Sequence, residues 1–147
     1  MESASIAENR RARFDYNIRD TFEAGIELQG HEVKSAKGGR FQIAGAHALV
    51  RGGEAWLLES HIPPYQKGNT PADYEDGRAR RLLLTKDEIR RIHGALIDRS
   101  ARLIPLRAYL KHGLIKIELG LAHSRRAADK RDALKKRAHQ REMRQGE

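Results

Sequence analysis

The chain has no cysteine, few aromatic residues and no long apolar run. Without cysteine there is no disulfide and no thiolate metal site, which fits a reducing compartment. No apolar stretch approaches the roughly 20 residues that a membrane-spanning helix needs. The opening "MESASIAENRRARF" lacks the apolar block of a secretory signal. The expectation is a soluble, cytoplasmic protein with no membrane partner.

Catalytic signatures are missing as well. Gly38-Gly39-Arg40 is not followed by the Lys-Ser/Thr of a phosphate-binding loop, and no serine sits in a Gly-x-Ser-x-Gly elbow. The histidines stand apart at positions 31, 47, 61, 93, 112, 123 and 139, with no pair at metal-ligand spacing. Glu32-Val33-Lys34 has the Glu-x-Lys form that metal-dependent nucleases use, the carboxylate holding Mg²⁺ and the lysine polarising a water. Such enzymes carry the pair on a strand beside a second carboxylate. Here it lies in a glycine-bracketed segment that reads as helix, so a solvated helical turn is the plainer reading. The sequence therefore predicts no catalytic residue, no metal and no cofactor.

What the chain has is positive charge. It carries 29 Lys/Arg against 20 Asp/Glu in 147 residues, a formal +9, with an isoelectric point near 10.2. From Leu121 to Glu147 there are nine Lys/Arg against four Asp/Glu, so +5 of that charge sits in the last 27 residues. A field of this sign favours polyanions, nucleic acid before an anionic membrane surface. The tail's apolar residues, Ala127, Ala133, Leu134, Ala138 and Met143, form no wide stripe, so the tail specifies neither a core nor a membrane face. Ahead of it, three basic clusters recur: Arg10, Arg11 and Arg13; Lys34, Lys37 and Arg40; Arg78, Arg80 and Arg81. Most aromatics alternate as core residues, which argues against a base-stacking platform and for recognition of a folded RNA by shape and backbone.

The apolar pattern predicts a small β-rich domain. From Phe14 to Leu28 apolar residues fall on even positions, the period of a half-buried strand. The run is long enough to need a bend, for which Asp20 and Gly25 are candidates. A short helix follows between Gly30 and Gly38-Gly39. Segments 41–50 and 55–60 form a hairpin around Gly52-Gly53. Residues 61–78, with three of the four prolines, read as a long loop. Thr85 and Glu88 form a capping box for a helix faced by Ile89, Ile92, Leu96 and Ile97. Segments 102–110 and 114–120 make a second hairpin, with Pro105 marking an edge or a bulge. The fold class is mainly β (α+β): an OB-like antiparallel barrel with flanking short helices. Residues 1–122 form the barrel domain and 123–147 the basic tail.

Several blocks together resemble the bacterial SsrA-binding protein family. They are "ENRRARFDYNIRDTFEAGIELQGHEVKSAKGGR", "HIPPYQKGN", "GRARRLLLTKDEI", "PLRAYLKHGLIKIELGLA" and "DKRDALKKR", in that order from about Ala7 to Arg137. The resemblance implies a monomeric, non-enzymatic adaptor. It would bind the tRNA-like domain of transfer-messenger RNA and deliver it to stalled ribosomes for trans-translation. Carried over by position, the RNA-binding residues are Asn9, Glu23 and Leu83, with Glu32, Val33, Lys34 and Ser35 beside them; Arg11 and Arg80 of the basic clusters are expected to join them. The resemblance also implies a tail that is disordered when free and helical in the small subunit's decoding centre and mRNA channel. Its contacts would be Arg125, Arg126, Asp129, Lys130, Arg131, Lys135 and Lys136. Two departures stand out: Ser124-Arg125-Arg126 replaces the usual Gly-Lys-Lys, and Ala128 stands where the family often has an aromatic residue or histidine. The alternatives are a generic basic protein that binds structured RNA or associates with ribosomes, and the nuclease considered above.

Overall fold

A computed structural model describes residues 4–66, 68 and 70–124. Seven antiparallel strands make one sheet: β1 (Ala4–Glu8), β2 (Tyr16–Ile26), β3 (His47–Arg51), β4 (Glu54–Leu58), β5 (Arg80–Leu83), β6 (Ala101–Lys111) and β7 (Leu114–Ser124). The pairings β6-β3-β4-β5-β2-β7 return to β6, so six strands close a barrel, and β1 lies along β6 beyond the short β3 pairing. Closure removes the free edges that would otherwise template aggregation. The helices are α1 (Ala12–Asp15), α2 (Gly30–Ser35) and α3 (Lys86–Ala95), with a wide helical turn over Ala36–Arg40 that ends as Gly39 takes φ 83°.

Both hairpins close as their residues require. Gly52 and Gly53 have φ of 63° and 77° between the paired Arg51 and Glu54. His112 and Gly113, at 52° and 77°, do the same between Lys111 and Leu114. Positive φ at both central residues matches the twist of the flanking strands.

Two bulges decide which residues face the core. The register of β2 against β7 shifts between Ile18 and Asp20, and that of β6 against β7 shifts between Pro105 and Arg107. An extra residue reverses the alternation. Phe22 and Ala24 accordingly point into the barrel with Leu57, Leu82, Ile92, Leu103, Ala108, Ile117 and Leu119. Tyr16 and Ile18, on the same even count, instead pack outside with Ala12, Ile104, Leu106 and Ala122. The outer cluster is where α1 covers the wall. Gly120 gives it room, since a Cβ there would stand 3.0–3.1 Å from the Leu106 side chain.

Three expectations are corrected. Strands β1 and β5 have too few alternating residues to announce themselves, and both are present. Helix α3 has its predicted cap, with Thr85 accepting from the Glu88 N–H and Glu88 from the Thr85 N–H. It ends at Ala95, however, leaving Ile97 75% exposed rather than on the buried face. Last, β7 continues through His123 and Ser124, the first two residues of the expected tail.

Candidate nucleic-acid interface

Beyond its bulge, β2 turns odd positions outward, and Glu23 stands there opposite Glu118 of β7. The Tyr109 hydroxyl donates to Glu23 Oε2, and Lys111 Nζ lies 3.2 Å from each carboxylate oxygen. The Tyr109 hydrogen bond is the main cause that holds the Glu23 carboxyl below its ordinary value; burial opposes it, and the Lys111 contact and the Lys116 charge add to the lowering. Burial and the neighbouring carboxylate push the Tyr109 hydroxyl up. Glu23 is therefore an ionised acceptor at neutral pH, with its side chain 42% exposed.

Leu83 is the cross-strand partner of Gly25. A Cβ on Gly25 would stand 3.2 Å from Leu83 Cβ, so the missing side chain is what lets Leu83 lie across β2. Within "RLLL" the alternation sends Leu82 into the core at 2% exposure and leaves Leu83 outside at 48%. Glu23, Gly25 and Leu83 line one open depression of about 680 Å³, together with Arg81, Lys86 and Lys116. An apolar side chain, a fixed acceptor and three cations thus share one surface. That combination suits the sugar-phosphate edge of a folded RNA better than a small apolar ligand.

The Glu32–Ser35 segment divides. Lys34 is exposed, its ammonium 6.0 Å from the ring centroid of Tyr65, itself 45% exposed, while Val33 is half-buried against the core. Glu32, Ser35 and Arg80, expected as RNA-binding residues, are fully buried and bonded within the protein. Arg78 Nη2 binds Glu32 Oε1 at 2.5 Å, and Arg80 Nη2 binds Oε2 at 2.7 Å. The Tyr74 hydroxyl and the Gln29 N–H complete the shell at 3.1 and 2.8 Å. Burial alone would raise this carboxyl, but the bonds from Arg78, the Gln29 amide and Arg80 outweigh it and hold the group at about 2. Arg80 also donates to Ser60 and to the Asp76 carbonyl, and Ser35 Oγ donates to the Pro63 carbonyl at 2.6 Å. The network ties the proline-rich loop to α2. It also occupies both oxygens of the carboxylate that a nuclease would need for its metal. Among the described residues, no group of three or more His, Asp or Glu is placed to hold a metal ion.

Asn9 and Arg11 lie elsewhere. Asn9 donates through its backbone N to the Leu106 carbonyl at 2.8 Å and through Nδ2 to the Pro105 carbonyl at 3.1 Å. It thereby satisfies carbonyls at the β6 bulge. Arg11 is mostly exposed, bonded to Asp15 and set 5.2 Å from the Phe14 ring. Both line a cleft of about 650 Å³ with Arg10, Tyr16, His47 and Arg102. Tyr16 and Glu23 are seven residues apart on β2, about 23 Å at the usual strand rise. Asn9 and Arg11 therefore stand apart from Glu23 and Leu83. The tail candidates, Arg125, Arg126, Asp129, Lys130, Arg131, Lys135 and Lys136, and Ala128 with them, lie outside the described residues.

Sequence reasoning missed Tyr109, Lys111 and Tyr74 as site-forming residues, while Arg78 stood in one of its basic clusters. The clue for the first two was their spacing from Arg107, which puts all three on one side of β6.

No helix among the described residues is long and apolar enough to cross a membrane. The family model described as "SmpB protein" matches residues 6–146. The chain is 46% identical over 138 residues to the SsrA-binding protein of Trichodesmium erythraeum, covering 94% of this chain and 88% of that one. It is 44% identical to the SsrA-binding protein of Thermosynechococcus vestitus, covering 94% and 91%. A solved structure described as "tmRNA-SmpB: a journey to the center of the bacterial ribosome" contains a chain that is 43% identical. It superposes with a TM-score of 0.67 over 82% of this chain and 84% of that one.

Proposed function

Because the chain belongs to the SmpB family, we propose that it is an RNA-binding adaptor of ribosome rescue. It binds the tRNA-like domain of transfer-messenger RNA and carries that RNA to stalled ribosomes for trans-translation. The observation that carries this reading is the match along almost the whole chain to proteins named for SsrA binding, joined by a likeness to a chain described with both tmRNA and the ribosome. The setting is the bacterial cytoplasm, where ribosomes work, and the adaptor has no catalytic role of its own.

In this reading the labour divides between barrel and tail. Glu23 and Leu83 grip the RNA, with Lys34 and Val33 on α2 and Asn9 and Arg11 at the second cleft as further contacts. Glu32, Ser35 and Arg80 act indirectly, by fixing α2 against the loop. Residues 125–147 supply the cations that enter the decoding centre and mRNA channel, Arg125, Arg126, Lys130, Arg131, Lys135 and Lys136 among them. Surrounding phosphate would compensate charge on every side of such a segment, and ordering on binding would cost part of the affinity.

The test uses translation stalled on a message without a stop codon. The full chain with transfer-messenger RNA should yield tagged peptide. A chain truncated after Ser124 should keep RNA affinity within about tenfold, roughly 1.4 kcal/mol, yet yield no tagged peptide. Tagging by the truncated chain would overturn the division of labour.

A further inference from the structure

The outer wall formed by β2, β7 and β6 carries a polar cluster beside the depression that holds Leu83. Glu23, Glu118 and Arg107 fall in one row across the three strands, since Glu23 pairs with Glu118 and Arg107 pairs with the same glutamate. Tyr109 follows Arg107 on that side of β6. It is 4% exposed, with the Arg107 guanidinium 4.3 Å from its ring centroid and its hydroxyl donating to Glu23. Lys111 closes the other side of the carboxylate. A second depression of about 330 Å³ is lined by Thr21, Phe22, Glu23, Arg107, Tyr109, Lys111 and Glu118. Glu23 lines this depression and the larger one beside Leu83.

We infer that Tyr109, assisted by Lys111, is a positioning residue that fixes the Glu23 carboxylate as an acceptor for a donor group of the bound RNA, a base amino or imino group or a ribose 2′-hydroxyl. This rests on the reading of Glu23 as an RNA contact. An exposed glutamate on a strand samples several rotamers, and ordering it on binding would cost affinity. A buried phenol bonded to one of its oxygens removes that freedom beforehand. An ionised carboxylate has about four acceptor sites. Tyr109 and Lys111 make three bonds to it, which leaves capacity for a further donor. That donor cannot be a phosphate, which offers acceptors only and repels the carboxylate. Lys111, Lys116 and Arg107 flank Glu23, so phosphates are drawn to either side while a sugar or base edge faces the carboxylate itself.

The experiment measures affinity for a transcript of the tRNA-like domain using the full-length wild type, Tyr109→Phe, Glu23→Ala and the double variant. Tyr109→Phe keeps the ring and removes only the hydroxyl. It should weaken binding about fivefold to tenfold, the net scale of one ordinary hydrogen bond. In the Glu23→Ala background it should have no further effect. Carboxyl ¹³C titration should show the Glu23 pKa rising toward its ordinary value in Tyr109→Phe, a signature that a purely structural role would not produce. If Glu23→Ala binds like wild type, the reading of Glu23 as an RNA contact fails, and the inference with it. If Glu23→Ala weakens binding but Tyr109→Phe does not, that reading stands and the positioning role is wrong. An equal loss from Tyr109→Phe in both backgrounds also overturns it. Should Tyr109→Phe melt early, Lys111→Met serves the same cycle: its phosphate attraction is lost in both backgrounds, so a larger loss with Glu23 present than with Glu23→Ala supports the cluster, and an equal loss in both overturns it.

Discussion

A carboxylate with no exposed surface survives folding only if cations and donors replace the water it has lost. Glu32 has Arg78, Arg80, Tyr74 and the Gln29 amide around it. Glu32→Gln would keep the shape and leave the buried Arg80 without its counter-charge. We predict a loss of about 3–5 kcal/mol in urea denaturation, the range for breaking a buried pair from one side. A loss under about 1 kcal/mol would show that the guanidinium finds other partners. The pH dependence follows from the sign of the shift. Glu32 titrates at about 2 when folded and near 4.5 ordinarily, so its stabilisation is complete above 4.5 and is lost as pH falls toward 2. Thermal melts should show wild type losing stability through that window more steeply than Glu32→Gln. Equal slopes would remove Glu32 as the cause. At Glu23 the shift has the same sign, but that group is open to solvent and its consequence is for binding rather than for folding.

At the scale of elements, the helix and turns were legible because their signals are local. Thr85 caps α3 as the sequence indicated, and it stands at the Leu83 depression. Thr85→Ala should cost about 1 kcal/mol, read from the denaturation midpoint, with RNA affinity nearly unchanged. A large affinity loss without a stability loss would mean that Thr85 touches the ligand. Less legible were features set by distant partners. The even-numbered alternation from Tyr16 to Ala24 reads as one face, yet the bulge after Ile18 divides it between two clusters. Strands β1 and β5 are defined by what they pair with, and their own sequences say little. The candidate site shows the same divide. Sequence could nominate Glu23 and Leu83 only by resemblance, and could not reveal that Tyr109 and Lys111, some 90 residues along the chain from Glu23, hold the acceptor in place. Nor could it tell the buried Arg80 from the exposed Lys34, since both stand in basic clusters and their burial is set by tertiary packing.

As a whole molecule, the protein is a closed barrel with the proposed contacts on its wall and a strongly basic sequence beyond Ser124. A net charge of +9 guarantees some attraction to any RNA, so affinity alone says little about function. What separates an adaptor from a generic polycation is the part of binding that survives salt. Phosphate contacts weaken steeply as counterions compete, whereas a fitted acceptor and an apolar contact, the roles proposed for Glu23 and Leu83, would discriminate by shape. The deciding measurement is a gel-shift competition between the tRNA-like domain of transfer-messenger RNA and an unrelated structured RNA of equal length, run across a salt series. The account predicts preference for the tRNA-like domain, widening as salt rises and collapsing in Glu23→Ala. Equal affinity for both RNAs at every salt concentration would contradict it and leave only a basic protein that binds polyanions.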